Sequence, residues 1–209
     1  VYEIGLTPNR MDAMSHWGVA RDVCAYLSHH DKKDLKPKLP TSNGLKAESL
    51  SFPIEVKVEN SAACPRYSGV SIDMVTIGES PLWLKQKLKA IGLRPINNIV
   101  DITNYIQHET GQPLHAFDAD LIGGRKVIIK NLPEGTTFVT LDEKERALSA
   151  DDLMICDEQG GICIAGVFGG LHSGVTDKTK TIFLESAFFE GIGIRKTSFR
   201  HNLRTDAAS

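Results

Sequence analysis

The chain has 209 residues, 41% of them hydrophobic and 24% charged, with 24 Lys+Arg against 26 Asp+Glu for a formal net charge of -2. That length supports one large domain or two small lobes sharing a core, and the composition is that of an ordinary globular protein. The balanced charge excludes a chain-wide positive field able to hold a nucleic-acid backbone non-specifically, and no apolar run approaches the ~20 residues that span a bilayer.

In chain order, Thr7-Pro8-Asn9-Arg10 is a turn that supplies caps to a helix expected over 11–29, on the spacing of Met14, Trp17, Val19, Ala20, Val23 and Leu27. The Lys-rich stretch 31–49 has two prolines and few large apolar residues, and it reads as a linker between residues 1–30 and a main domain over 50–209. Residues 54–59 alternate as a half-buried strand, and 66–77 read as a second. Ser80-Pro81 caps a helix with Leu84, Leu88 and Ile91 inward and Gly92 as its stop. A further helix over 98–109 turns Ile99, Ile102 and Ile106 inward and ends at Gly111. From Arg125 the pattern becomes β: 127–129, then 137–141 and 146–148 about a charged turn. Residues 153–156 and 162–167 follow about Glu158-Gln159-Gly160-Gly161, then 181–184, before a short basic helix over 192–201. Helices in the first half and hairpins in the second argue for an α+β fold of mixed and antiparallel sheets with packed helices.

Cys24, Cys64, Cys156 and Cys163 form no CxxC pair and have no histidines nearby at zinc spacing, which reads as reduced thiols in a cytosolic protein. The missing initiator Met and the ending at Ala207-Ala208-Ser209 read as a piece cut from a longer protein.

Four segments set polar residues among turn formers. In Leu93-Arg94-Pro95-Ile96-Asn97-Asn98, the Arg before Pro is held extended and the paired Asn offer donors and acceptors; a helix cap with a surface Arg explains the same residues. In Gly111-Gln112-Pro113-Leu114-His115-Ala116-Phe117-Asp118, Pro113 and its apolar neighbours fix His115 as an acid, a base, a donor or a satisfied structural residue. His115 and Asp118 are too few for a metal, and none is expected. The run 165–174 is glycine-rich but matches neither phosphate-loop fingerprint, so its glycines serve positive φ or close approach. In Phe183-Leu184-Glu185-Ser186-Ala187-Phe188-Phe189, Glu185 either points inward and needs a partner or sits at a strand end in water. There is no Ser-His-Asp order and no GxSxG elbow.

Taken together, these segments resemble the bacterial phenylalanyl-tRNA synthetase beta subunit. The resemblance rests on Thr7 to Arg10, 18–23, 94–105, 111–118, Ala165 to Gly170, 184–189, Arg200-His201 and Thr205-Asp206-Ala207, in order and nearly chain-long. It implies a B3/B4 editing module that hydrolyses tyrosine misattached to the phenylalanine tRNA. Residues 1–30 would be the end of a preceding module. Glu185 would contact the tyrosine phenol, and Gly169, Thr205, Ala207 and Pro113 would line the pocket. Arg94, Asn97 and His115 would surround the ester and terminal adenosine. It also implies a cytoplasmic protein whose partners are the aminoacylated 3′ end of tRNA and, through the parent chain, an alpha subunit in an alpha2-beta2 assembly. ATP and Mg would belong to the parent synthetase, with no cofactor in this region.

The chemistry suits that implication. An apolar pocket rejects an added hydroxyl by only ~10²-fold, whereas a site built to bind it can discriminate by ~10⁴–10⁵-fold. Two other readings compete: a catalytically silent tRNA-binding or scaffold module, and a free-standing ester hydrolase of the same fold. The cluster Arg195, Lys196, Arg200, His201 and Arg204 reads either as a contact for the tRNA end or as a solvated basic helix.

Overall fold

The computed structural model describes residues 2–7, 9–39, 44, 46 and 52–208, with Asp206 described in its backbone alone. Pro8 of the opening turn and most of the second half of the expected linker lie outside the described residues. The chain packs as two units: Val1–Leu50 with Glu79–Leu114, and Ser51–Gly78 with His115–Ser209. This division does not coincide with the boundaries drawn from composition, because residues 79–114 group with the leading helix.

The first unit is helical. The helix expected over 11–29 is broken into a 3-10 turn, Met11–Ala13, and α1, His16–His30. Ser15 causes the break by taking the N-cap, where its Oγ accepts from Gly18 N at 2.9 Å. Gly18 lets the two pieces meet, since a Cβ there would lie 2.4 Å from the Asp12 carbonyl oxygen. Helix α2, Leu82–Ala90, starts at Pro81 and buries Leu84 and Leu88. Two expectations fail here. Ser80 does not cap α2, because its hydroxyl donates to Asp101 instead, and Ile91 is exposed. Helix α3, Asn98–Thr110, is capped by Asn97, whose Oδ1 accepts from Val100 N at 2.9 Å, and it ends at Gly111 with φ 84. Its buried residues are Asp101 and Thr103, and Ile102, expected inward, is exposed. Asp101 also accepts from Ile96 N at 2.8 Å. At about 100° per residue, 101 and 103 lie on two flanks of the helix, and Ile102 falls in the uncovered arc between them.

The second unit is an α+β sandwich, as expected from the pattern. One sheet has the order β1-β4-β7-β8-β9: β1 Glu55–Val58, β4 Lys126–Asn131, β7 Leu153–Cys156, β8 Gly161–Ile164 and β9 Phe168–Gly169. Only β1 and β4 pair in parallel among these. The second sheet runs β2-β10-β3, with β2 Arg66–Ile72, β10 Ile182–Phe188 and β3 His115–Asp118, all antiparallel. A separate hairpin pairs β5, Thr137–Val139, with β6, Glu145–Ala147.

Phe117 and Phe183 from the smaller sheet meet Val127, Ile129, Ile155 and Cys163 from the larger one in a single core. The far face of the larger sheet carries Met154, Cys156 and Ile164, covered by Phe138, Leu148 and Ile194 of α4, Gly191–His201. Strand β7 is therefore buried on both faces, which is why it reads Leu-Met-Ile-Cys without alternation. Burying each large side chain of this kind contributes roughly 1.5–3 kcal/mol.

Candidate active site

Strand β10 extends past the expected 181–184 to Phe188, because β2 pairs with it along its whole length. Glu185 is thus in mid-strand, at the centre of a three-stranded sheet, rather than at a strand end. Its partners are Gly69 on β2 and His115 on β3, with Phe183 opposite Phe117 and Ala187 opposite Tyr67. Side chains directly opposite share a face, so Glu185, His115, Phe117, Phe183 and Tyr67 all point toward the larger sheet. Gly69 keeps that face open for its neighbour: a Cβ there would fall 2.1 Å from Cζ of Phe183.

Glu185 is only 6% exposed, and Tyr67 Oη donates to its Oε2 at 3.2 Å. Burial pushes the Glu185 carboxyl up to about 8, opposed by the Tyr67 hydrogen bond, which favours the ionised form. Burial, and then the Glu185 charge, raise the Tyr67 phenol and the Cys163 thiol as well. His115 stands edge-on to Phe117, with ring centroids 4.4 Å apart. Burial lowers its imidazole to about 4, so the ring is neutral at pH 7. Its Nε2 is wholly buried without a hydrogen-bond partner among the described residues. A buried polar atom left so costs about 1–3 kcal/mol, and such exceptions concentrate where a ligand or water is to be met.

Gly169 approaches from β9, opposite Cys163 of β8. A Cβ there would lie 2.9 Å from Leu141 Cδ1 and 3.4 Å from His115 Cε1, so its bareness keeps space beside the imidazole. The glycine-rich run is otherwise a tight turn. Gly166 adopts φ 64, and a Cβ on Gly170 would lie 2.6 Å from the Ile162 carbonyl oxygen. Its amides are spent internally, Val167 N on Ile164 O and Gly170 N on Ile162 O, both at 3.0 Å, as the mismatch with phosphate loops suggested.

Thr205 is tied to the same turn, donating from Oγ1 to Val167 O at 3.1 Å, and Ala207 is half-buried in the 3-10 turn Asp206–Ala208. The structure therefore brings Glu185, His115 and Gly169 together and hangs Thr205 on the adjoining turn. Arg94, Asn97 and Pro113 belong to the first unit, where Arg94 is exposed, Asn97 caps α3 and Pro113 is half-buried. The basic cluster on α4 and just beyond it divides. Arg195, Lys196 and Arg204 are exposed, but His201 is buried and both it and Arg200 bond to Asp152, so neither is a free surface charge.

Sequence reasoning missed Tyr67, Gly69 and Asp152. Strand alternation puts Tyr67 and Gly69 on one face of β2, but nothing local shows that this face meets Glu185.

A family model described as the B3/4 domain matches residues 63–209. The chain is 58% identical over 208 residues to the phenylalanine–tRNA ligase beta subunit of Bacteroides thetaiotaomicron, covering 100% of this chain and 25% of that one. It is 47% identical over 206 residues to the beta subunit of Carboxydothermus hydrogenoformans, covering 99% and 25%. The chain thus spans about a quarter of these relatives' length. An N-terminal fragment of the Pyrococcus horikoshii phenylalanyl-tRNA synthetase beta subunit aligns at TM-score 0.48 and 17% identity, over 93% of this chain and 58% of that one. The likeness read from the ordered motifs is borne out, and the chain belongs to the B3/4 domain family.

Proposed function

We propose that this chain is the proofreading part of a phenylalanine–tRNA ligase beta subunit, hydrolysing the ester between tyrosine and the phenylalanine tRNA. The observation that carries this reading is the buried carboxyl of Glu185, fixed by a phenol and set opposite His115 on the neighbouring strand. A buried acid without a cation destabilises a fold, so its presence calls for a functional reason. A second phenol, that of a bound tyrosine, is a ligand it suits. Phenylalanine would leave the same carboxyl short of a donor.

Hydrolysis adds a water oxygen to the ester carbonyl carbon, breaks the bond to the ribose oxygen and returns a proton to that oxygen. His115, neutral and with an unpaired Nε2, is suited to accepting a hydrogen bond from the attacking water. A base whose protonated form is so disfavoured orients water better than it removes its proton. The roles proposed for Arg94, Asn97 and Pro113 rest on the motif likeness. Thr205 and Ala207 are proposed as wall residues, through the turn at Val167. The tRNA end, the alpha subunit, and the ATP and Mg of charging belong to the same proposal for the parent enzyme, as does a cytoplasmic setting. Among the described residues, no helix is long and apolar enough to cross a membrane.

In the full-length protein, tyrosine release from tyrosyl-tRNA is expected to exceed phenylalanine release from phenylalanyl-tRNA. His115→Ala is expected to slow it by ~10²-fold, the usual worth of one positioned water-orienting group. His115 is expected to add no inflection near pH 6.5, its own protonation lowering the rate only as pH approaches about 4, below the range in which Glu185 titrates. An unchanged rate in His115→Ala would remove the imidazole from the mechanism. Release of neither amino acid above the uncatalysed rate by the wild type would favour the silent scaffold instead.

Gly169→Ala separates packing from function. The methyl meets the tip of Leu141, an exposed and movable side chain, so the denaturation midpoint is expected to correspond to a change within about 1 kcal/mol. The same methyl fills space beside His115, and tyrosyl-tRNA hydrolysis is expected to fall at least tenfold.

A further inference from the structure

Four titratable groups face the Glu185 carboxyl: Tyr67 from β2, Cys64 from the turn before it, Cys163 from β8 and His115 from β3. None of them is a cation at neutral pH. Burial raises both thiols and lowers the imidazole, so all three stay uncharged. Among the described residues, the Tyr67 hydroxyl is the one side-chain donor to this carboxyl, and it engages Oε2. A carboxylate has about four acceptor positions on its two oxygens, so one phenol orients it without saturating it. The aromatic ring of Tyr67 packs against the core between the two sheets, which phenylalanine would preserve. The hydroxyl alone therefore carries the contact.

We infer that Tyr67 is a specificity-determining residue that acts through Glu185, holding one carboxyl oxygen so that the other is left for the phenol of an incoming tyrosine. The inference rests on the proofreading reading above. It makes the site a carboxyl shared by two phenols, one built in and one supplied by the substrate. Hydrogen bonds to a charged acceptor are stronger than neutral ones, and the Tyr67 bond is what favours the charged form here. Removing the hydroxyl leaves Glu185 both less oriented and harder to ionise.

The test is single-turnover release of amino acid from tyrosyl-tRNA and phenylalanyl-tRNA by the full-length protein in its assembly. Wild type, Tyr67→Phe, Glu185→Ala and the double variant are compared across pH. Tyr67→Phe is expected to lower the tyrosine-to-phenylalanine rate ratio about tenfold, the loss of one charge-assisted hydrogen bond. It is also expected to displace the rise of that ratio with pH to higher pH. In the Glu185→Ala background, the same substitution is expected to have no further effect. If Glu185→Ala collapses the ratio while Tyr67→Phe leaves both ratio and pH curve unchanged, the inference falls and the proofreading reading stands. It falls equally if the two substitutions lower the ratio independently. If Glu185→Ala itself leaves the ratio unchanged, the reading beneath it falls. Thermal unfolding of Tyr67→Phe within a few degrees of wild type confirms that the ratio reports on the site.

Discussion

Glu185→Ala in the full-length protein is expected to lower tyrosine release from tyrosyl-tRNA by ~10²-fold or more, with phenylalanine release little affected, so that selectivity collapses. The magnitude follows from the worth of a buried group built to bind a substrate hydroxyl, which separates ligands with and without it by ~10⁴–10⁵-fold. Part of that range survives in the shape of the pocket. The same position predicts a gain elsewhere. Glu185→Gln removes an ionisable group from an apolar site, and the variant is expected to unfold at a higher temperature than wild type. The pH dependence has a definite sign. The folded-state value of about 8 lies above the ordinary carboxyl value of 4.5, so between those two pH values the folded chain binds the extra proton. Wild-type stability therefore falls relative to Glu185→Gln as pH rises from 4.5 to about 8, and the gap is constant above that. Unfolding temperatures of the two proteins across pH 4 to 9 check this. A gap that did not widen with pH would show that Glu185 ionises freely.

The second large effect concerns stability. Asp152 is fully buried, and its Oδ1 accepts from Thr197 Oγ1 at 2.8 Å and from Arg200 Nη1. Its Oδ2 accepts from Ser149 N at 2.9 Å and lies 2.7 Å from His201 Nε2. Burial pushes this carboxyl up, but the hydrogen bonds from His201, Ser149 N and Thr197 outweigh it and hold it below the usual carboxylate range. The contrast with Glu185 is instructive: both carboxyls are buried, yet the one with four donors is lowered and the one with a single donor is raised. Asp152→Ala is expected to cost about 3–5 kcal/mol, since it strands buried donors on α4, and Asp152→Asn distinctly less. The Asp152 contribution is present above the ordinary carboxylate value and lost as pH falls through the depressed one. Because α4 runs directly into the segment bearing Thr205, loss of this anchor is also expected to reduce hydrolysis. Urea midpoints at pH 7 check the stability claim, and a shift equivalent to less than 1 kcal/mol would contradict it.

Much of the fold was legible because apolar runs carry their own length and period. The strands at 127–129 and 153–156 were readable as short buried runs, and Gly111 and Gly160 marked real turns. Errors came where a polar side chain took a tertiary partner. Ser80 left the helix cap for Asp101, and Arg200 and His201 bond to Asp152 rather than standing free. Such choices depend on groups distant in the chain, which no local window contains. The site was half legible for the same reason. Glu185 stood out as a carboxylate in an apolar run, but whether the strand continued beneath it was decided by pairing with β2. Tyr67, 118 residues away, enters only through that register. Motif order brought His115, Gly169 and Glu185 into one list, and the register of β3 on β10 is what sets His115 opposite Glu185.

The most direct test is the structure of the full-length protein bound to a non-hydrolysable amide analogue of tyrosine joined to the 3′ position of adenosine. The account predicts the tyrosine ring within the second unit, beside Gly169, with its phenol oxygen in hydrogen-bond distance of Glu185 and its carbonyl near Nε2 of His115. A bound ring whose phenol points into solvent, with Glu185 still held by Tyr67 alone, would contradict it.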